Sequence, residues 1–430
     1  VFAAAADRNG LIGTALVLLC AVAAPAVAQE SPSYLYTVVE PNYETDPTSV
    51  SPMGDDFSPA TGTVTFSATD ISIPGNFAIP VELRRWVPSD DFNTGGPTGW
   101  KWNIPFIRGN YLELLTNRDA VDWDWGGPNT WRAGKNCTGL PATVNHSSIT
   151  QYLPETYWKG KLLHIPGVTS ESFLMTSSGQ EVTKSHFKVV GCVDNNPPDQ
   201  NGIIQQGIIV QGPDGTTYTF NQVKSYFAGT KNAPREAVVF TRLLMISSIK
   251  DRFNNEVIYH YDANSKLTGI SASDGRQIDI DYQNGEVYQA SAHGRTWTYG
   301  PSGVTLPDGR QWNYSGLSNV GYKPDGPIGY LQQLDVSIIP KSIPRCEPNA
   351  GDYQVINSSP DGLQTTYIFR DTVHYRSEVQ PGYHPVLGFT RVLACTIKRS
   401  LVSKTSSGPG IPTTTWTYKY SGNTGNHGTY

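Results

Sequence analysis

One hairpin-forming unit recurs through the second half of this chain, and it constrains the fold more than any other feature. Residues 257–261 and 277–282 alternate apolar and polar side chains, and polar turns border the two runs. A period of two is the pattern of β-strands, because successive side chains on a strand point to opposite faces. The sequence therefore predicts a series of antiparallel hairpins.

The unit returns in shortened copies around three Gly-Arg dipeptides, which begin at Gly275, Gly294 and Gly309. An apolar residue stands three places and again five places after each glycine. The same offsets follow Asp214-Gly215, and a looser copy follows Asp361-Gly362. Glycine accepts the positive φ angles of a tight hairpin turn, and residues two apart share a sheet face. Each copy is expected to turn and then place two large side chains on one face.

The apolar positions after the second and third of these glycines are aromatic, namely Trp297, Tyr299, Trp312 and Tyr314. Apolar positions at a spacing of two usually face a core, which favours rings that only fill the sheet face. The competing hypothesis is an exposed row of rings that stacks on the sugars of a cell-surface glycan. The sequence leaves both interpretations open.

The composition favours the same architecture. The 430 residues include 42 Gly, 31 Pro, 23 Tyr and 10 Trp, a mixture typical of strands and turns. After residue 28, no segment longer than about ten residues has a helical periodicity. We expect an all-β fold of antiparallel strands.

Motifs that carry chemistry are scarce. The net charge of -5 comes without a run of Lys or Arg, so a nucleic-acid partner is not expected. No nucleophilic-serine, zinc-protease or phosphate-loop motif occurs, and no His or Cys spacing suits a metal. We expect no catalytic site, metal or cofactor. A secreted hydrolase that uses Asp122 or Asp124, which alternate with tryptophans, is an alternative, although a solvated strand face explains the same pattern.

The first 28 residues have the features of a secretory signal peptide. Arg8 precedes an apolar stretch at 11–22, and Ala26-Val27-Ala28 fits a cleavage site. No later apolar run reaches the ~18 residues of a membrane-spanning helix. The protein is therefore expected to be secreted, periplasmic or held at the cell surface, with residues 29–57 as a disordered tether.

Four cysteines remain after the leader: Cys137, Cys192, Cys346 and Cys395. An even number in an oxidising compartment predicts disulfides, and four cysteines permit three pairings. We favour Cys137 with Cys192 and Cys346 with Cys395, because each pair lies within one half of the chain. Free or buried thiols are the alternative.

Two regions follow the tether. Residues 58–230 form a β-rich N-terminal region and residues 231–430 hold the repeat-like strands, with no sharp linker between them. The last alternating run, 416–420, lies close to Tyr430, and a repeat array that stops on a strand leaves an unpaired edge. We expect the repeat region to continue beyond this chain.

One segment resembles the YD repeat of bacterial Rhs proteins. That repeat runs Tyr-x-Tyr-Asp-x-x-Gly-x-Leu-Thr and then Gly-Arg, and its counterparts here are Tyr259, Tyr261, Asp262, Leu267, Gly275 and Arg276. The chain departs from the repeat at Ser265, where the family usually has glycine. Likenesses to the strands that precede such repeats extend the resemblance over most of residues 60–320.

The resemblance implies a long β-ribbon that spirals into a hollow shell around a cargo. In such proteins the cargo module, often a toxin, lies at the far C-terminus, which would place it outside this chain. The implied function is that of a secreted structural and interaction protein, at the cell surface or in contact or competition between cells. A carbohydrate-binding surface module and a secreted hydrolase are the alternatives.

Overall fold

Antiparallel β-strands make up nearly all of the regular structure. The computed structural model describes residues 53–88, 94–114, 135–138, 144–145, 151–152, 160–193, 205–232, 236–320, 348–375, 382–384, 388–390 and 395–420. Across these ranges the helical structure consists of one 3-10 turn, Leu317–Asn319. The predicted all-β, antiparallel fold is confirmed. Nothing helical in the described part of the chain is long and apolar enough to cross a bilayer.

The described strands range from two residues to the sixteen of Thr217–Asn232. In chain order they are β1 (Asp55–Phe57), β2 (Val64–Ile73), β3 (Val81–Val87), β4 (Lys101–Trp102), β5 (Phe106–Leu114), β6 (Val144–Asn145), β7 (Gln151–Tyr152), β8 (Leu162–Ile165), β9 (Thr169–Ser172), β10 (Leu174–Met175), β11 (Glu181–Val182), β12 (Lys188–Val193), β13 (Gly207–Gln211), β14 (Thr217–Asn232), β15 (Glu236–Lys250), β16 (Glu256–Tyr261), β17 (Leu267–Ala272), β18 (Gln277–Gln283), β19 (Glu286–Ala292), β20 (Arg295–Gly300), β21 (Gly303–Thr305), β22 (Gln311–Ser315), β23 (Asp352–Ser358), β24 (Gln364–Tyr375), β25 (Gly382–His384), β26 (Gly388–Thr390), β27 (Cys395–Gly408) and β28 (Ile411–Thr417).

Four strands at the start of the described chain form a sheet of their own, here called the small sheet. β1, β2, β3 and β4 pair in that order, each antiparallel to the next. A further twenty of the described strands form one continuous sheet, here called the ribbon. From β10 to β24 each strand of the ribbon pairs with the next one in the chain, and β27 and β28 extend the series. The predicted series of hairpins is therefore present.

The ribbon branches at the hairpin of β14 and β15. These two strands pair along their lengths, from Thr217 with Lys250 to Asn232 with Glu236. The other edge of β15 is shared, because residues 248–250 pair with β16 and residues 237–245 pair with β5. The boundary expected near residue 230 falls inside this hairpin. Residues 51–430 cluster as one compact unit.

Many of the ribbon's turns share one geometry. Between β17 and β18 the amide of Gly275 donates to the carbonyl of Ala272, and the amide of Ala272 donates to the carbonyl of Arg276. This is a three-residue hairpin loop, which needs one residue with positive φ at its end, and Gly275 supplies it at +89°. The sequence predicts positive φ at the glycine correctly. The same pair of hydrogen bonds closes the turns at 176–180, 183–187, 212–216, 251–255, 262–266, 306–310 and 359–363.

Ser265 occupies the positive-φ position of the 262–266 turn, where the YD repeat has glycine. Its φ of +59° costs a residue with a side chain about 1–2 kcal/mol. The hydroxyl offsets this cost, because Gln222 donates to Oγ at 2.7 Å and Oγ donates to the carbonyl of Val223 at 3.3 Å. The serine therefore ties this turn to β14, which glycine cannot do.

The inner face of the ribbon packs on the small sheet. The apolar side chains after Gly275, Ile278 and Ile280, are buried on this face, and β3 contacts β17 and β18. Farther along the ribbon, the ring of Tyr367 meets that of Phe66 edge-on, with 4.9 Å between centroids. Wherever the small sheet covers them, the repeat positions fill a sheet face as the alternation predicts.

The tether is shorter than the sequence suggests. Met53 is buried and β1 begins at Asp55, so the folded part starts within the range assigned to the tether, 29–57. The period-two pattern misses β1 because three residues are too few to show alternation. The expected signal peptide and the rest of the tether lie outside the described residues.

The predicted disulfide between Cys137 and Cys192 is present. It joins the segment 135–138 to β12, and the side chain of Lys161 donates to the carbonyl of Cys137 at 3.1 Å. Cys346 and the side chain of Cys395 lie outside the described residues, so their pairing stays a prediction.

His164 on β8 is a buried, neutral histidine in the core. Its ring stacks on that of Trp86 at 4.6 Å and on that of Phe106 at 4.9 Å. Nε2 lies 2.9 Å from Oδ1 of Asn103, while Nδ1 has no partner among the described residues. Burial lowers the pKa of His164 to about 4. A second proton on this ring would be an unpaired charge in an apolar site.

We expect acid to destabilise the protein through His164. The pKa is about 4 in the folded chain and 6.5 in the unfolded chain, so the unfolded state binds the proton first as pH falls. Stability present above pH 6.5 is lost on going down to pH 4, by an amount on the order of 3 kcal/mol. Urea unfolding at several pH values should show this loss in the wild type and a smaller one in His164→Gln. The exposed His260→Gln is the control, and equal slopes for wild type and His164→Gln would contradict the prediction.

Candidate functional site

A cleft of about 930 Å³ opens between β2 and the turn ends of the hairpins around β20 to β22. Two half-buried indole rings line its ribbon side, and hydroxyl and charged groups line the rest. We call it the tryptophan cleft, and its principal side chains are Ser67, Thr69, Asp70, Arg295, Trp297, Asp308 and Trp312. Its size lies within the range of small-ligand sites, roughly 300–1,000 Å³.

Alternation along β20 and β22 decides which rings reach the cleft. Trp297 and Tyr299 are two apart on one strand, and Trp312 and Tyr314 are two apart on the other, so all four face the small sheet. The tyrosines lie deeper, with 5% of Tyr299 and 8% of Tyr314 exposed. The small sheet covers their rings, so these two tyrosines are not free to stack on a sugar. The tryptophans remain the candidate stacking surfaces.

The two tyrosine hydroxyls form hydrogen bonds with a buried ion pair of the small sheet. Nε of Arg85 lies 2.8 Å from Oδ2 and 3.0 Å from Oδ1 of Asp70, and the side chains are 0% and 3% exposed. Tyr299 donates to Oδ2 of Asp70 at 2.9 Å, and Nη2 of Arg85 donates to the hydroxyl of Tyr314 at 2.7 Å. The guanidinium also lies 4.2 Å from the ring centroid of Trp100. The floor of the cleft is thus a fixed polar network under aromatic rings.

The electrostatics of this pair favour the charged form of Arg85. Burial alone would lower the pKa of Arg85, but the charge of Asp70, the interaction with Tyr314 and the hydrogen bonds to both together outweigh burial and raise that pKa above its usual value. Burial raises the pKa of Tyr314 to about 12, even though Arg85 opposes the shift. Both tyrosine hydroxyls are therefore neutral donors or acceptors at physiological pH.

A β-bulge brings Asp70 into this network. Val64 and Phe66 face the core at even positions of β2, whereas Ile71 and Ile73 face it at odd positions. The register against β3 shifts between Thr69 and Ile71, so the chain gains one residue there. A bulge lets two successive side chains point the same way, which places Asp70 inward beside Ile71.

The rim of the cleft carries opposite charges. Arg295 is exposed at the start of β20, and Asp308 lies in the turn before β22. The hydrogen bond from Nε of Arg310, at 2.8 Å, lowers the pKa of Asp308. Indole faces next to hydroxyl and charged groups offer both the apolar contact and the hydrogen bonds that a polyhydroxylated ligand needs.

The arginines of the three Gly-Arg dipeptides make different contacts. Arg276 reaches the small sheet, where Nη1 donates to the carbonyls of Ile73 at 3.1 Å and Ile79 at 3.4 Å. Its guanidinium lies 4.4 Å from the ring centroid of Phe77. Arg295 is exposed at the rim of the tryptophan cleft. Arg310 is exposed as well and pairs with Asp308.

The other residues of the YD-like segment hold the ribbon together. Tyr259 and Leu267 are buried, and the hydroxyl of Tyr261 donates to the carbonyl of Ile246 at 2.8 Å. The carboxylate of Asp262 accepts the amides of Asn264 at 2.8 Å and of Lys266 at 2.9 Å, which closes the turn. These motif positions serve packing and turn formation.

A second groove, of about 460 Å³, lies beside β3 and the turn that precedes it. Tyr218 and Tyr259 line it together with the Glu82–Arg84 ion pair, and exposed Phe253 stands at its margin. Burial raises the pKa of Tyr218 to about 12, with a contribution from Asp214. The groove can accept an apolar group with a hydrogen-bonding end.

The sequence pattern does not predict the pairing of Asp70 with Arg85 or of Asp55 with Lys404, although these are two of the buried ion pairs among the described residues. Arg85 could have been found, because alternation puts it on the apolar face of β3 with Leu83 and Val87. Among the described residues, no three His, Cys, Asp or Glu side chains converge as a metal site would require. Asp122 and Asp124 lie outside the described residues, so the hydrolase alternative stays a prediction.

No known protein-family model matches this sequence, and no curated protein matches it. Among solved structures, the chain has a similarity to the N-terminal domain of effector protein SpvB from Salmonella typhimurium strain LT2. The sequence identity is 9%, the TM-score is 0.20, and the match covers 82% of this chain and 100% of that chain. A similarity this low supports no inference about fold or function.

We expect Asp70→Asn to destabilise the fold strongly. The change leaves Arg85 charged and buried without its partner, a situation that typically costs about 3–5 kcal/mol. Urea unfolding followed by tryptophan fluorescence measures the loss. The matched control is Asp352→Asn, which breaks the solvent-exposed Arg370–Asp352 pair and should change stability little. Equal losses in the free energy of unfolding for the two substitutions would show that the buried pair contributes no more to stability than the exposed pair.

Proposed function

We propose that this chain is a structural and interaction protein: a YD-repeat-like ribbon, similar to the N-terminal part of Rhs proteins. The observation that carries the proposal is the use of the motif residues. Tyr261 and Asp262 bond backbone groups within the ribbon, and Arg276 bonds the small sheet. Residues that a repeat uses for turns and packing support a mechanical role, because they build a continuous wall of strands.

The proposed place of action is outside the cytoplasm. The leader-like residues 1–28 and the disulfide between Cys137 and Cys192 both suit an oxidising compartment. There the ribbon would act at the cell surface, where it would take part in contact or competition between cells.

Export and surface exposure test this role. The full chain, with an epitope tag at its C-terminus, is produced in bacterial cells, and intact cells and medium are probed with an impermeant antibody. We expect the tag outside the cells, while a variant that lacks residues 1–28 keeps it inside. Wild-type protein found only in the cytosolic fraction would contradict the proposal.

Carbohydrate binding is a second candidate function, and the tryptophan cleft favours it. Trp297 and Trp312 are half-buried, so their positions are fixed while part of each ring faces the cleft. Fixed aromatic faces bind sugar rings at a low cost in conformational entropy. Thr69, Arg295 and Asp308 supply hydrogen-bonding groups around them.

A glycan array with the purified chain tests the second candidate. We expect at least one glycan to bind, and Trp312→Ala to weaken that binding at least about tenfold, equivalent to about 1.4 kcal/mol. Tyr288→Ala, which removes an exposed ring on another part of the ribbon, is the control and should bind as the wild type does. Circular dichroism confirms that each variant folds. No binding by the wild type, or equal binding by Trp312→Ala, would rule out the cleft as a sugar site.

A further inference from the structure

A buried lysine and a buried aspartate meet where the small sheet joins the last long strand of the ribbon. Asp55 lies on β1 and Lys404 lies on β27, and the two side chains come from positions 349 residues apart. Nζ of Lys404 is 2.5 Å from Oδ2 of Asp55. The residues are 1% and 5% exposed, so bulk water does not reach the pair.

Aromatic rings enclose this pair. The hydroxyl of Tyr367 donates to Oδ1 of Asp55 at 2.9 Å, which leaves Oδ2 to Lys404. Nζ lies 5.7 Å from the ring centroid of Tyr367 and 5.6 Å from that of Trp416. Phe66 closes another side, with its ring edge-on to that of Tyr367. Tyr367 and Trp416 flank Lys404 on neighbouring strands, so the β pairing itself fixes this arrangement.

We propose that Lys404 and Asp55 join in an intramolecular isopeptide bond. An ammonium and a carboxylate are costly to bury, and one proton passed from nitrogen to oxygen leaves a neutral amine beside a neutral acid. The neutral amine is a nucleophile, and its fixed position beside the carboxyl group removes the entropic cost of bringing the two together.

The atoms of the reaction balance without a co-reactant. The nitrogen of Lys404 forms a bond to the carboxyl carbon of Asp55, and the carbon–Oδ2 bond breaks. Of the three protons on the ammonium, one stays on the amide nitrogen and two leave with Oδ2 as water. Nothing is oxidised or reduced. The hydroxyl of Tyr367 touches Oδ1, where negative charge develops during the attack, and stabilises it there.

Another buried lysine provides an internal comparison. Nζ of Lys161 lies 2.8 Å from Oε2 of Glu181 but also donates to the carbonyl of Cys137 at 3.1 Å. In the pair of Lys404, by contrast, the hydroxyl of Tyr367 polarises the carboxyl group of Asp55 through its other oxygen. The chemistry therefore selects Lys404 over Lys161. The bond would fix β1 permanently to β27 and close a loop over most of the chain.

Mass spectrometry of the full chain decides the question. After reduction of the disulfide, we expect the intact mass to be lower by one water molecule than the mass calculated for the purified chain, which begins after residue 28 where the leader is removed. Fragmentation should give a branched peptide that joins the segments around Asp55 and Lys404. On a denaturing, reducing gel the closed loop should shift the mobility of the chain. Lys404→Met and Asp55→Ala should each restore the full sequence mass, whereas Lys161→Met should keep the loss.

The outcome for the wild type alone can overturn the proposal, even where a variant fails to fold. A folded wild-type chain that retains its full sequence mass after prolonged incubation would show that the pair is an ion pair only. A loss of water that maps to a single unbranched peptide would also overturn it. Tyr367→Phe keeps the ring and removes the hydroxyl, so we expect a smaller fraction of bonded chain at early times. An unchanged fraction of bonded chain would show that the hydroxyl of Tyr367 takes no part in the reaction.

Discussion

A charge buried between two sheets must find its partner there, and this constraint organises the contact between the small sheet and the ribbon. The small sheet holds Arg85 and Asp70 at its inner face, and Tyr299 and Tyr314 of the ribbon complete their hydrogen bonds. Near the end of the ribbon, Lys404 meets the carboxylate of Asp55. Because an unpaired buried charge costs several kcal/mol, each contact tolerates only one relative position of the two sheets.

Apolar packing alone would not set that position. A face of Val, Ile and Leu gains much the same free energy in several registers, since the hydrophobic effect has no direction. The polar contacts between the sheets are directional and lie far apart along the ribbon, from Arg276 to Lys404. Together they fix the small sheet at both ends of its contact. The apolar residues thus supply most of the burial, and the charged residues determine where it occurs.

The sequence predicts the local structure well and the contacts between layers poorly. Period-two alternation identifies the hairpins, and the repeat glycines mark positive-φ positions, because both depend on neighbouring residues. The contact of Asp70 with Tyr299 and the pairing of Asp55 with Lys404 join residues hundreds of positions apart. Local signals for them exist but are indirect: the phase of β2 changes after Ala68, and Arg85 falls in the apolar phase of β3. Neither signal identifies the residue with which the buried charge pairs.

The tryptophan cleft follows from the unequal extent of the two sheets. The repeat places two apolar side chains after each glycine, but the small sheet covers only part of the ribbon's inner face. Where the small sheet covers the ribbon completely, both side chains that follow the glycine are buried in the core, as at Ile278 and Ile280. At β20 and β22 the ring nearer the glycine lies at the edge of the area that the small sheet covers. Trp297 and Trp312 are therefore half-buried. The same sequence unit therefore yields core at one place and a candidate binding surface at another, and the difference arises from the neighbouring layer.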